Sequence, residues 1–307
     1  MNARRVAYTA ARTLKVESAE TTPPPDGHVR IDVAYTGICG TDLHVYHGAM
    51  DERVNPPGVI GHEMSGRIGQ VGPHVTGWQA GDAVTVMPLA SCGQCPACQA
   101  GHTHICHRLV FLGIDAVDSM QTSWTVPADT LIRLPQSMRL DHAALVEPTA
   151  VAVHDVRRAD VQPGEKVLVV GGGPTGLLIA IVARRSGGDA LLVEPDPYRR
   201  SVAGTLGLAH HDPTTGDLAE TVAQWTDGAG SAVAFEVSGA AAAVASAVES
   251  LATRGRLVQV AIHPVPREVS LHRPHVGQVR DARPRRGCGG GLQAEVPGED
   301  DHGPQGG

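Results

Sequence analysis

The chain contains few aromatic residues, no long apolar run and no excess of positive charge. Phe, Trp and Tyr make up 3% of its 307 residues, so its cores must be built from aliphatic side chains. The net charge of −7 disfavours a nucleic-acid-binding surface. No apolar run approaches the length of a membrane span, and no apolar segment follows Arg4 and Arg5 as it would in a targeting peptide. We therefore expect a cytoplasmic protein with no nucleic-acid or membrane partner, long enough for two domains.

Four of the six cysteines lie in one C-x2-C-x2-C-x7-C cluster, at Cys92, Cys95, Cys98 and Cys106. Four thiolates can close a tetrahedral shell around Zn²⁺, and a closed shell is structural. A disulfide pair is one alternative, but no secretory signal indicates an oxidising compartment. An iron–sulfur cluster is another, but the ferredoxin pattern has x3 and a proline where this chain has x7 and His107. The cluster therefore predicts a structural zinc.

A second set of candidate metal ligands lies outside this cluster. Cys39 belongs to the segment G-I-C-G-T-D-L-H at 37–44, and His62 and Glu63 follow a proline-containing loop. Cysteine, histidine and carboxylate are ligands of catalytic zinc sites, which keep a position open for water or substrate. Taken singly, a Cys is usually a small buried hydrophobe. The combination predicts a second, catalytic zinc.

Glu147 lies within an apolar, helix-like stretch at 140–158, directly before Pro148. A buried carboxylate at that position needs a partner, and a zinc ion would serve. The alternative is a carboxylate at a helix end that faces water.

A dinucleotide-binding motif follows. An apolar strand at 166–170 leads into G-G-G-P-T-G, a helix at 177–185, a strand at 190–193 and then an acid, Glu194. The motif residues are Gly171, Gly173, Pro174, Thr175 and Gly176. The glycines let a pyrophosphate approach the helix N-terminus, while the acid binds the ribose 2′-hydroxyl. Glu194 favours NAD over NADP, although the nearby Arg199 and Arg200 could accept a 2′-phosphate.

The rest of the chain predicts an α/β fold in two parts. Alternating apolar and polar residues around Val29 and Ile31, with glycine turns further on, predict a small antiparallel barrel. Beyond the glycine motif, a helix at 199–206, a strand at 232–237, a helix at 240–251 and a strand at 256–262 continue a doubly wound parallel sheet.

Over residues 1–273 these features together resemble the zinc-dependent medium-chain dehydrogenase/reductase superfamily, and most of all its butanediol, sorbitol and threonine dehydrogenase branch. The resemblance implies a GroES-like catalytic barrel over 1–150, with the zinc lobe at 91–107, and a Rossmann NAD-binding domain over 151–273. It also implies a homodimer or homotetramer.

The resemblance assigns chemical roles to individual residues. The implied catalytic zinc ligands are Cys39, His62, Glu63 and, as a further ligand or water-bridged neighbour, Glu147. Thr41 and His44 would carry the alcohol proton to solvent. The implied reaction is hydride transfer between NAD and a secondary alcohol, diol, polyol or hydroxy amino acid, with two zinc ions per chain.

The stretch 274–307 breaks the pattern. It is rich in Gly, Pro and Arg and lacks aromatic residues, so we expect a disordered tail. A natural tail and a frameshift in the gene are both open explanations. One alternative function that follows is a truncated protein that binds zinc and dinucleotide without catalysis. A separate alternative is a zinc-free reductase of the same superfamily, against which the set of Cys39, His62 and Glu63 argues. Cys288 receives no role.

Overall fold

The computed structural model describes residues 3–263, 265–266 and 276–281. Its first half is built from antiparallel strands. They are β1 (Ala3–Ala10), β2 (Thr13–Ala19), β3 (His28–Thr36), β4 (Gly58–Val59), β5 (Met64–Val71), β6 (Ala83–Val86), β7 (Leu89–Ala90), β8 (Val110–Phe111), β9 (Ser123–Pro127) and β10 (Leu131–Arg133). One sheet has the order β2-β1-β4, a five-stranded sheet has the order β10-β6-β5-β3-β9, and β7 pairs with β8.

The five-stranded sheet encloses an aliphatic core around one tryptophan. Val29 and Ile31 on β3 are fully buried and pack with Ile68 and Trp124, whereas Asp32 is exposed. The predicted alternation on this strand is confirmed at these positions. Inward-facing β-branched side chains fit a pleated surface, which explains the strand.

Short helices lie between these strands and beyond them. They are α1 (Gly40–Tyr46), α2 (Asp51–Val54), α3 (Pro96–Gln99), α4 (Leu140–Ala143) and α5 (Val146–Ala159). The single helix predicted over 140–158 is thus two helices, because the helical conformation is interrupted between α4 and α5. Ala152, Val156 and Ala159 on α5 are buried in the core of the second half of the chain.

The second half alternates strands and helices. The elements are β11 (Lys166–Val170), α6 (Pro174–Arg185), β12 (Asp189–Val193), α7 (Pro197–Thr205), β13 (Ala209–His211), α8 (Leu218–Trp225), β14 (Ser231–Glu236), α9 (Ala241–Glu249), β15 (Leu251–Gln259) and β16 (Val276–Asp281). All neighbouring strands pair in parallel, in the order β13-β12-β11-β14-β15-β16. The strand order reverses between β11 and β14, and such a switch point is where open parallel sheets bind ligands. The predicted α/β class with a doubly wound sheet is confirmed.

One sequence-based expectation needs correction at the end of this sheet. A disordered tail was expected over 274–307, but Val276–Asp281 forms β16 and pairs in parallel with β15. The backbone hydrogen bonds of an exposed sheet edge can order a segment whose composition is poor in apolar residues. The remainder of that predicted tail, including Cys288, lies outside the described residues.

Among the described residues, no helix combines the length and the apolar character needed to cross a bilayer.

Candidate active site

Strand register brings three predicted ligands together. Cys39 follows β3, while His62 and Glu63 immediately precede β5, and β3 pairs with β5 so that Thr36 opposes Met64. The candidate ligand atoms of Cys39, His62 and Glu63 all lie within 4.8 Å of one another. These side chains are half-buried to buried, so the set forms an enclosed cluster of sulfur, nitrogen and oxygen donors.

Two glycines make room for this cluster. A Cβ atom on Gly37 would clash with Oε2 of Glu63. Gly61 has φ +96°, and its Cβ would lie 2.6 Å from Cγ of Met120. The positive φ of Gly61 therefore favours glycine, and a side chain at position 37 would crowd the Glu63 carboxylate.

Asp42, which the sequence analysis missed, fixes the backbone next to the cluster through hydrogen bonds. Its buried carboxylate accepts hydrogen bonds from the backbone N–H of Cys39 at 2.8 Å and of Gly61 at 3.1 Å. Its Oδ1 lies 3.9 Å from Nδ1 of His62. Burial raises the pKa of Asp42 to about 6. An acid three residues after Cys39, in the first turn of a helix, was the sequence signal for this capping role.

The protonation chemistry of the cluster suits a divalent metal. Burial lowers the pKa of His62 to about 4, so its imidazole is neutral, and its buried Nδ1 has no hydrogen-bond partner. Burial and the charge of Glu63 raise the pKa of Cys39 to about 12, although hydrogen bonds from Thr41 oppose this rise. A buried thiolate therefore needs a cation, and thiolate, neutral imidazole and carboxylate are zinc ligands.

Glu147 lies nearby but outside the three-residue set. It stands in the first turn of α5, and burial together with the charges of Glu63 and Asp42 raises its pKa to about 8. Asp118, which the sequence analysis also missed, is fully buried with Oδ2 unpartnered. Burial and the charges of Asp42 and Glu147 raise its pKa well above the ordinary value. Four mutually repelling carboxylates in one region favour a bound cation.

Thr41 and His44 share one face of α1. They are three residues apart on the helix, which places their side chains on neighbouring positions, and both are half-buried. Thr41 also hydrogen-bonds to the sulfur of Cys39, which opposes the rise in the pKa of that thiol. The two side chains thus lie close to each other on the helix that begins at Cys39.

The four-cysteine lobe is a second cluster of possible metal ligands. The Sγ atoms of Cys92, Cys95, Cys98 and Cys106 all lie within 4.8 Å of one another. Cys95 Sγ is 3.5 Å from Cys98 Sγ and 3.8 Å from Cys106 Sγ, far longer than a disulfide bond. All five described cysteines are free, so the disulfide alternative has no support.

Backbone N–H groups point at these sulfur atoms. His107 N donates to Cys95 Sγ at 3.4 Å, and the N–H groups of Arg108 and Cys92 each donate to Cys106 Sγ at 3.3 Å. Such donors stabilise thiolates, the form that binds metal.

The glycine motif forms the turn between β11 and α6. Gly171 has φ +114°, and its Cβ would lie 2.8 Å from the backbone N of Ser238. A Cβ on Gly176 would overlap the carbonyl oxygen of Gly171. Gly173 is the N-cap of α6 and Pro174, followed by Thr175, is its first residue. The helix N-terminus is therefore open to an anionic group.

Glu194 closes β12 beside this turn. Its buried carboxylate accepts from Gly172 N at 2.7 Å and from Asp196 N at 2.8 Å. Nη1 of Arg199 lies 3.7 Å from Oε2 of Glu194, whereas Nη1 of Arg200 donates to the backbone carbonyl of Glu194 at 2.8 Å. Arg200 also pairs with Asp212 at 2.6 Å. Both arginines that could accept a 2′-phosphate thus have a carboxylate partner, and Arg200 is the more closely paired of the two.

Two family models match the chain. Residues 25–136 match the alcohol dehydrogenase GroES-like domain, and residues 174–292 match the zinc-binding dehydrogenase domain. A 2-dehydro-3-deoxy-L-galactonate 5-dehydrogenase from Pseudoalteromonas atlantica is 48% identical over 256 residues, which cover 83% of this chain and 75% of that protein. An L-threonine 3-dehydrogenase from Pyrococcus horikoshii is 36% identical over 245 residues, covering 78% and 70%.

Solved structures agree with this match. A putative zinc-binding dehydrogenase from Sinorhizobium meliloti, crystallised with NADP, superimposes with a TM-score of 0.81 at 29% identity. The match covers 86% of this chain and 78% of that chain.

Proposed function

Because the chain belongs to the zinc-dependent medium-chain dehydrogenase/reductase family of alcohol dehydrogenases, we propose that it transfers hydride from a secondary alcohol to NAD. The broader statement, a zinc-dependent alcohol or polyol oxidoreductase that uses a nicotinamide dinucleotide, follows from the family. The observation that carries the proposal is the set of Cys39, His62 and Glu63, whose donor atoms lie within 4.8 Å of one another.

In this proposal, Cys39, His62 and Glu63 hold the catalytic zinc. Bound there, zinc supplies the Lewis acidity that lowers the pKa of an alcohol hydroxyl. Asp42 fixes the backbone on both sides of the site through Cys39 and Gly61. Glu147 supplies further negative charge as an additional ligand or a water-bridged neighbour.

Thr41 and His44 move the proton in this proposal. The Thr41 hydroxyl takes the proton of the alcohol and passes it along α1 toward His44, which is half-buried and delivers it to solvent. The carbon that carries the alcohol hydroxyl would give its hydride to the nicotinamide. The alcohol would thereby be oxidised and the dinucleotide reduced. Burial around the site keeps competing water away.

The second zinc of the proposal is held by Cys92, Cys95, Cys98 and Cys106 and is structural, because four thiolates leave no open position. Cysteines without disulfide bonds are typical of a reducing compartment, so we propose that the protein is cytoplasmic. The family resemblance suggests a homodimer or a homotetramer.

NAD is proposed over NADP because of Glu194. Both of its oxygens are held by backbone N–H groups, so the carboxylate is fixed where the adenosine ribose is expected. A 2′-phosphate there would be repelled. Two observations favour NADP instead: Arg199 lies beside Glu194, and the Sinorhizobium meliloti structure contains NADP.

The substrate class is proposed from the relatives. The Pseudoalteromonas atlantica protein acts on a polyhydroxy acid and the Pyrococcus horikoshii protein on threonine, both of which carry a secondary hydroxyl. We propose a polyol, a deoxy sugar acid, a diol or a hydroxy amino acid.

The test is to mix zinc-loaded protein with a pool of these compounds and with NAD⁺ or NADP⁺, and to follow formation of the reduced dinucleotide. Turnover that is faster with NAD⁺ supports the proposal, and splitting the pool then identifies the substrate. If folded protein with both zinc ions bound forms no reduced dinucleotide, the result would support the non-catalytic binder instead. A metal content of zero together with turnover would indicate the zinc-free reductase.

A further inference from the structure

A buried carboxylate that the proposed mechanism does not use lies at the carboxyl end of β14. The Glu236 side chain has no exposed surface, and it accepts five hydrogen bonds. A buried carboxylate is expensive unless every lone pair is satisfied. The network around Glu236 therefore demands a structural or functional reason.

One oxygen of Glu236 organises the turn that follows β14. Its Oε1 accepts from Ser238 N at 2.9 Å, from the Ser238 hydroxyl at 2.7 Å and from Gly239 N at 2.9 Å. The Ser238 hydroxyl in turn accepts from Ala240 N at 3.1 Å, directly before α9. The conformation of the turn at 238–240 thus depends on a single carboxylate oxygen.

The other oxygen of Glu236 reaches the neighbouring strand. Its Oε2 accepts from Nε2 of Gln259 at 2.7 Å and from Nε2 of His263 at 3.0 Å. The Glu236 backbone carbonyl also accepts from the N–H groups of Val260 and Ala261, at 2.9 and 3.0 Å. Glu236 therefore joins the chain segments that follow β14 and β15.

The turn at 238–240 contacts the glycine motif. The backbone N of Ser238 is the atom that a Cβ on Gly171 would approach to 2.8 Å, and Val237 N donates to the carbonyl of Val170 at 2.9 Å. These contacts lie at the switch point between β11 and β14. Glu236 thus determines the position of the turn at 238–240, which contacts the glycine turn at the switch point of the sheet.

We infer that Glu236 is a positioning residue for the dinucleotide: with His263 as its partner, it holds the turn at 238–240 in the conformation that binding requires. The inference rests on the proposed dinucleotide site at Gly171. Glu236 itself does not touch the ligand, because its two oxygens are fully engaged by protein donors.

Since all five partners are donors, only a carboxylate satisfies them together. In Glu236→Gln, the amide nitrogen must face either the donors of Ser238 and Gly239 or those of Gln259 and His263. Either orientation sets donor against donor. The loss of one such contact to a charged acceptor weakens binding that depends on it by on the order of tenfold.

The experiment measures the Kd for NADH by fluorescence, alongside zinc content and steady-state constants, in Glu236→Gln, His263→Ala and His263→Gln. Glu220→Gln, an exposed glutamate on α8, is the matched control. We expect a Kd for NADH and a KM for NAD⁺ on the order of tenfold higher in Glu236→Gln and less raised in His263→Ala. His263→Gln, which retains an N–H donor, is expected to restore binding.

The zinc content and the KM for the alcohol at saturating NAD⁺ are expected to stay unchanged. A general loss of structure would change both. If Glu236→Gln does not fold, the contrast between His263→Ala and His263→Gln carries the test. Wild-type affinity for NADH in Glu236→Gln, or no difference between the two His263 variants, would overturn the inference. Wild-type protein that binds no NADH would instead overturn the proposed function.

Discussion

Asp155 provides a quantitative test of how deeply the inner face of α5 is buried. It lies on α5, is 2% exposed, and its Oδ2 has no hydrogen-bond partner. Burial raises its pKa from 3.8 to about 7. A shift of about 3 pH units corresponds to about 4 kcal/mol of differential stability between the charged and the neutral carboxyl.

The sign follows from proton linkage. Between pH 4 and pH 7 the unfolded chain has lost the Asp155 proton while the folded chain keeps it, so stability from this group falls as pH rises. The destabilisation is absent below the unfolded pKa and complete above about pH 7. Replacing Asp155 with Asn removes the ionisation but keeps the shape.

We therefore expect Asp155→Asn to exceed wild type in melting temperature only slightly near pH 4.5, just above the unfolded pKa, and by on the order of 10 °C at pH 8. Thermal melts followed by circular dichroism, with zinc held constant, measure the difference. Asp160→Asn is the control, because Asp160 is exposed at the end of the same helix and its positive φ suits Asn. An Asp155→Asn difference that does not change between the two pH values would refute the reasoning.

Three further substitutions separate the sites. Cys98→Ser should lose about one zinc per chain and lower the melting temperature, because a structural zinc contributes folding free energy; retention of all zinc by elemental analysis would contradict this. Gly171→Ala should weaken NADH binding by at least about tenfold with zinc unchanged, because its Cβ would lie 2.8 Å from Ser238 N; unchanged affinity by fluorescence would count against the site. Glu194→Gln should raise kcat/KM for NADP⁺ relative to NAD⁺, and an unchanged ratio would remove Glu194 from cofactor selection.

Local motifs were predictable from the sequence because their function depends on spacing. The cysteines at 92–106 and the glycine turn at 171–176 each lie within one short segment, and both segments have the expected geometry. For Cys39 and His62 the residue types predicted a ligand set but not the contact between them. That contact arises from the pairing of Thr36 with Met64.

Residues that act through tertiary contacts were not predictable. Asp118 comes near Asp42 and Glu147 only after the chain has folded, and Glu236 resembles an ordinary strand-end acid until its five donors are seen. By contrast, α8 was missed although Asp217 as N-cap and the apolar spacing of Leu218, Val222 and Trp225 were a helix signal.

Compositional reasoning failed at the end of the parallel sheet. The segment Val276–Asp281 has too few apolar residues to predict a strand, yet it pairs along β15. The stabilising interaction there is the backbone pairing with a neighbouring strand, which depends little on side-chain pattern.

The central claim is that Cys39 holds a catalytic zinc. The most direct test measures zinc content and NADH formation in wild type and in Cys39→Ser. We predict two zinc ions per chain and turnover in wild type, and one zinc ion, a folded chain and no turnover in the variant. A Cys39→Ser variant that keeps both zinc ions and the wild-type rate would contradict the account.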